Sequence, residues 1–134
     1  MKLKITLTYV VCALSLFLFA CSWAPNRASI TVTCDDFAQE QQIVAGAKTP
    51  LPVGKSFTVG LCSDPSTGFQ WLESATISDQ TVLQQTAHKQ VSGLEIWTFK
   101  ALSQGNATVF MECTSSLQGA EEVQRTFLLT VVVR

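Results

Sequence analysis

The chain carries one histidine, His88, within the polar stretch Gln84-Gln85-Thr86-Ala87-His88-Lys89-Gln90. Nucleophilic catalysis of the Ser-His-Asp or Cys-His kind has to pass through it, and no Gly-x-Ser-x-Gly elbow is present to expose a serine. The polar neighbours mark His88 as a solvated strand or loop residue. Paired carboxylates occur at Asp35-Asp36 and Glu121-Glu122. Adjacent residues on a strand point to opposite faces, and neither pair sits in the apolar setting needed to drive two carboxyl pKa values apart, so glycosidase chemistry is not expected. A single histidine, with five cysteines that form no CxxC spacing, offers no metal ligand set. The sequence reads as a non-enzyme without metal or cofactor.

The segment Asp64-Pro65-Ser66-Thr67-Gly68-Phe69-Gln70-Trp71 specifies a shape rather than a reaction. Pro65 fixes one φ, Asp64 with Ser66 or Thr67 offers side-chain oxygens to nearby backbone amides, and Gly68 admits the positive φ that closes a turn. Phe69 and Trp71 then share one face of the following strand and pin the loop to a core. A firm loop of small residues is the expected product.

Such a loop needs a scaffold, and 134 residues with 47% apolar and 14% charged content suit one domain. Nine Lys+Arg against ten Asp+Glu give a formal charge of −1, which leaves no basic footprint for a nucleic acid. From Ser29 onward the apolar period is two: Ile30, Val32 and Cys34; Phe57, Val59 and Leu61; Ala107, Val109 and Met111; Phe127, Leu129, Val131 and Val133. Turn signals separate these runs at Pro52-Val53-Gly54, at 64–68, at Ser92-Gly93 and at Gln104-Gly105-Asn106, and no stretch has the spacing of an amphipathic helix. The pattern predicts an all-β, immunoglobulin-like sandwich of about eight strands, near 29–34, 40–46, 56–62, 69–77, 81–90, 94–102, 106–113 and 123–133.

The first residues stand apart. Lys2 and Lys4 precede an uncharged, largely apolar run from Ile5 to Ala20, the outline of a signal peptide. At about 1.5 Å per residue this run reaches roughly 24 Å, short of a ~30 Å hydrocarbon layer. It ends in Leu18-Phe19-Ala20-Cys21, which resembles the bacterial lipobox. The expectation is a leader over 1–20, lipid on Cys21, a tether over 21–28 and a domain over 29–134, held by acyl chains to the outside of a bacterial membrane as a monomer. Export also places Cys34, Cys62 and Cys113 where disulfides persist, with one thiol left over. If the chain runs up through 29–34, down through 40–46 and up again through 56–62, Cys34 and Cys62 end at the same edge of the sandwich. Side-chain parity argues the other way, because Cys62 is out of step with Phe57, Val59 and Leu61. A strand end escapes that parity, and Cys34 with Cys62 is the favoured pair.

With these residues in view, the sequence resembles the chagasin family of cysteine-protease inhibitors. Its first signature, Asn-Pro-Thr-Thr-Gly-Phe/Tyr followed two residues later by Trp, is matched by positions 64 to 69 and Trp71, with Asp64 for Asn and Ser66 for Thr. The second, a Gly-rich loop leading into an aromatic strand, is matched in reduced form by Ser92-Gly93-Leu94-Glu95-Ile96-Trp97-Thr98-Phe99. The third, Arg-Pro-Trp/Phe, is absent from Glu112-Cys113-Thr114-Ser115-Ser116-Leu117-Gln118-Gly119. The resemblance implies three adjacent loops that enter the cleft of a papain-like cysteine protease, with contacts from Asp64, Pro65, Ser66, Thr67, Gly68 and Phe69, from Ser92, Gly93, Leu94 and Trp97, and from Thr114, Ser115, Ser116 and Leu117. The reduced second signature and the missing third also allow an alternative, a surface lipoprotein that keeps the sandwich for adhesion or assembly without inhibiting.

Overall fold

Alternating Phe57, Val59 and Leu61 are buried along Ser56–Cys62, and Gly60 and Cys62 are buried as well, so this strand runs through the centre of the fold. The chain is described by a computed structural model covering residues 28–47, 49–64, 66, 68–115 and 122–134. The expected leader over 1–20, the lipidation site Cys21 and the tether up to Arg27 lie outside the described residues. Among the described residues there are nine strands, β1 (Ala28–Val32), β2 (Gln42–Gly46), β3 (Ser56–Cys62), β4 (Phe69–Trp71), β5 (Thr76–Ile77), β6 (Leu83–Val91), β7 (Leu94–Ala101), β8 (Gly105–Ser115) and β9 (Glu122–Val133), and one short helix, α1 (Cys34–Gln39).

They form two sheets. The first runs β1-β3-β7-β6, and the second runs β2-β9-β8-β4 with β5 also on β8. β1 lies parallel to β3, and β2 parallel to β9; the other pairings are antiparallel. The predicted sandwich is what forms, because each alternating run supplies one apolar face and the two faces bury each other. Val59, Leu61, Trp97 and Phe99 from the first sheet meet Val109, Met111, Phe127, Leu129 and Val131 from the second. Phe57 and Phe99, opposite one another on β3 and β7, stack at 5.3 Å.

Three local expectations change. The strand expected over 29–34 stops at Val32, and α1 follows, although no helix was expected. Thr33 caps it: the Thr33 amide and hydroxyl both donate to Asp36 Oδ2 at 2.7 Å, and the Asp36 amide donates back to Thr33 Oγ1 at 3.4 Å. These bonds, the hydroxyl first, hold the Asp36 carboxyl below its ordinary pKa. Asp35 and Asp36 therefore belong to the first turn of a helix rather than to a strand. Six residues are too few to show a 3.6 period. The strand expected over 69–77 is also broken, into β4 and β5. Side chains of the opposite sheet take over the backbone there: Glu73 O accepts from Trp97 Nε1 at 3.0 Å and Gln85 Nε2 at 2.8 Å, and the Ala75 amide donates to Gln85 Oε1 at 2.8 Å. With Glu73 O and the Ala75 amide bonded in this way, the chain leaves the ladder at a lower cost. Finally, β2 begins at Gln42 and β6 at Leu83, each two residues later than expected.

Close approach fixes one glycine. At Gly105 (φ +151°), a Cβ would stand 2.7 Å from Val82 Cγ2, so no larger residue opens β8 without displacing the buried Val82.

Candidate functional site

Register places three connections at one pole. β3 ends at Cys62 against Leu94, the first residue of β7; Leu94 also pairs Val91, the last of β6; and β8 ends at Ser115 against both Phe69 and Glu122. The β3–β4 loop, the β6–β7 turn and the β8–β9 connection thus leave the sandwich at the same end. Helix α1 joins them there, since β1 ends at Val32 opposite Leu61 and β2 starts at Gln42 opposite Thr126.

In the first loop the Ser66 amide and hydroxyl donate to Asp64 Oδ1 at 3.1 Å and 2.5 Å, the Asx geometry expected of Asp64. Asp64 and Ser66 are exposed, and Gly68 takes φ +75° as the turn requires. Pro65 and Thr67 lie outside the described residues. Phe69 and Trp71 share a face, and Trp71 is buried with Nε1 donating to Cys62 O at 2.9 Å. That bond ties the end of the loop to its beginning.

The second connection is a two-residue turn, with Ser92 at φ +28° and Gly93 at φ +78° between paired Val91 and Leu94. Two consecutive positive φ values suit the right-handed strand twist of a hairpin. Ser92 and Gly93 are exposed, and the Ser63 amide donates to Gly93 O at 2.9 Å, so the first and second loops are joined at their bases. Leu94 is half-buried and reaches across Gly60, where a Cβ would meet its Cδ2 at 3.2 Å. Trp97 departs from expectation. It is 0% exposed and faces the core, so it supports the pole from beneath and presents no surface to a partner. In phase with Phe99 and Ala101, its side chain follows the buried parity of β7. At the third connection Thr114 and Ser115 are half-buried, while Ser116 and Leu117 lie outside the described residues.

Beneath the loops runs a continuous line of rings. Phe37 of α1 packs on Trp71 at 5.5 Å, Trp71 meets the edge of Trp97 at 6.3 Å, and Trp97 stacks on His88 at 4.8 Å. A disulfide between Cys34 and Cys62 fastens α1 to the end of β3, with Cα atoms 5.2 Å apart. This is the expected pair. It forms because β1 and β3 run parallel and finish together, and because Cys62, though out of step with Leu61, lies at a strand end. Cys113, the third cysteine of the domain, is free and buried, and burial first of all raises its thiol pKa to about 11; Arg125 acts in the opposite direction, and Glu95 adds to the rise.

His88 corrects the reading of a solvated side chain. It is only 21% exposed, lies flat on Trp97 and places Nε2 2.9 Å from Glu95 Oε2. Glu95, Ser63 and Arg125 are the residues that sequence reasoning passed over. Glu95 had a readable signal, being in phase with Trp97, Phe99 and Ala101 on the buried face of β7. Ser63 and Arg125 had none, since their roles arise from contacts with residues distant in sequence, Glu95 and Gly93 for the one and Phe37 and Phe69 for the other. Among the described residues no group of three or more His, Cys, Asp or Glu side chains is arranged to hold a metal ion.

Three strand connections thus converge at one pole, joined at their bases by hydrogen bonds and fastened to α1 by the disulfide. Residues 50–131 match the family described as Chagasin family peptidase inhibitor I42, and the chain belongs to that family. The structure resembles that of the cysteine protease inhibitor EhICP2 from Entamoeba histolytica, with a TM-score of 0.55 at 17% identity over 82% of this chain and 99% of that one. It also resembles PbICP-C, solved in complex with falcipain-2, with a TM-score of 0.53 at 14% identity over 78% of this chain and 99% of that one. No curated protein sequence matches the chain significantly.

Proposed function

We propose that this domain is a reversible inhibitor of papain-like cysteine proteases, with 64–69 as the central wedge and the 92–94 and 114–117 segments as flanks. The observation that carries this is the convergence of the three connections at one pole, the first of them holding the family's loop signature. PbICP-C, of similar fold, forms a complex with a protease, falcipain-2. The Asp64–Ser66 and Trp71–Cys62 hydrogen bonds limit the conformational freedom that binding would cost. The domain acts by occupying the cleft, with no covalent chemistry of its own.

Missing from 112–119 is the Arg-Pro-Trp/Phe signature, which deprives the third flank of an aromatic anchor. That loss costs on the order of 2 kcal/mol, or ~30-fold in affinity. The exposed Val91, beside the Ser92-Gly93 turn, offers the second flank a replacement apolar contact. Residues 1–21 supply export and a lipid anchor in this reading. Ala28 pairs with Phe57, at the opposite end of β3 from Cys62, so a chain anchored upstream of Ala28 holds the loops away from the membrane. Steady-state inhibition of papain tests the mechanism: a cleft-filling inhibitor raises KM for a peptide substrate at constant kcat, and Thr67→Arg abolishes the effect without lowering the melting temperature. Inhibition that lowers kcat alone would place the contact outside the cleft.

A further inference from the structure

Glu95 is a carboxylate in a place where apolar neighbours would pack without it. It is 4% exposed on the inward face of β7, one residue beyond the start of that strand. Both carboxylate oxygens are committed: Oε1 accepts from the Ser63 hydroxyl at 2.7 Å, and Oε2 lies 2.9 Å from His88 Nε2. Ser63 is itself buried and opens the first loop, and its amide holds Gly93 O at 2.9 Å. His88 stands on β6, the other arm of the second turn, and is clamped against Trp97. One buried group therefore touches the root of the first loop and both strands of the second.

Burying a carboxylate is unfavourable unless its hydrogen bonds are complete, and an apolar residue of similar volume is often as stable at such a site. What complete bonding adds is a single allowed arrangement, since Ser63 and His88 each have one position in which Glu95 is satisfied. Among the described residues no buried side-chain polar atom lacks a partner, so the network is closed.

We infer that Glu95 is a positioning residue that couples the first loop to the second, so that the two meet a partner as one preorganised edge. The inference rests on the inhibitory reading for its effect on affinity, but the coupling itself is a property of the free domain. Side chains that only fill space would alter melting and leave the folded protein's binding unchanged.

The test uses the exported domain with Ser63→Ala, Ser63→Thr and Glu95→Gln, read by papain binding kinetics and by amide hydrogen exchange. Ser63→Ala and Glu95→Gln are expected to weaken binding about tenfold, mainly through faster dissociation. Exchange at the Ser63 amide should rise by a similar factor while the Val109 and Leu129 amides of the core keep their rates. Ser63→Thr, which keeps the hydroxyl, should restore both. Unchanged exchange at Ser63, or wild-type affinity despite faster exchange, overturns the inference. If Glu95→Gln does not fold, Ser63→Ala decides, because it removes one hydroxyl only. Should the wild type leave papain untouched, the inhibitory reading falls, and the exchange measurements alone still decide whether Glu95 holds the loops together.

Discussion

Arg125 and Phe69 are joined across the second sheet: the guanidinium lies 5.3 Å from the Phe69 ring centroid and, on its other contact, 5.4 Å from that of Phe37. One cation thus links the residue that closes the first loop to the helix fastened by the disulfide. Each such contact at a partly exposed site is worth about 0.5 to 1 kcal/mol. Arg125→Leu keeps an apolar stem and removes the charge. It is expected to lower unfolding free energy by roughly 1 kcal/mol and papain affinity by about fivefold, with Arg125→Lys intermediate. Urea denaturation and binding kinetics on the three proteins check this.

The Cys34–Cys62 bridge, with a sequence separation of 28, constrains the unfolded chain and secures α1 beneath the first loop. Loop-closure entropy for a ring of that size gives roughly 3 to 4 kcal/mol. The double variant Cys34→Ala with Cys62→Ala should lose stability on that order in urea, and its Trp71 and Trp97 fluorescence should shift as Phe37 loosens. Stability unchanged within about 1 kcal/mol would show that α1 and β3 hold together without the bridge.

Cys113 predicts a specific alkaline sensitivity. Its thiol pKa rises from an ordinary 9.0 to about 11, chiefly because burial disfavours the thiolate. A raised folded value means the unfolded chain releases its proton first as pH increases. The contribution is complete below pH 9 and is lost as pH climbs to about 11, a loss of order 1 to 3 kcal/mol. Stability curves from pH 8 to 11 should show this decline in the wild type and lack it in Cys113→Ala. In the same range the native thiol should resist labelling by disulfide reagents until denaturant is added.

Much of the scaffold could be read from period two alone. Phe57, Val59 and Leu61, and likewise Phe127 to Val133, show their buried face directly because a sandwich strand has one wet side and one dry side. The Cys34–Cys62 pairing was legible for a related reason, since parallel strands finish together. Helix α1 was not, because a capping box of Thr33 and Asp36 governs six residues too few to leave a periodic trace. Nor was the break after Trp71, which depends on Gln85 and Trp97 reaching over from the other sheet. At the site, Asp64 to Gly68 declared their turn chemistry locally. Trp97 looked like a contact residue because it matches the aromatic strand of the family's second signature, yet β7 parity sends it inward. His88 looked solvated because its neighbours in sequence are polar, whereas its neighbours in space are Trp97 and Glu95.

Titration of papain with the purified domain tests inhibition most directly. Residual activity against a peptide substrate should fall with added domain toward a one-to-one equivalence, blunted by the affinity lost with the third loop's aromatic anchor, and should recover on dilution with the domain uncleaved. Full papain activity in the presence of micromolar folded domain would contradict the account.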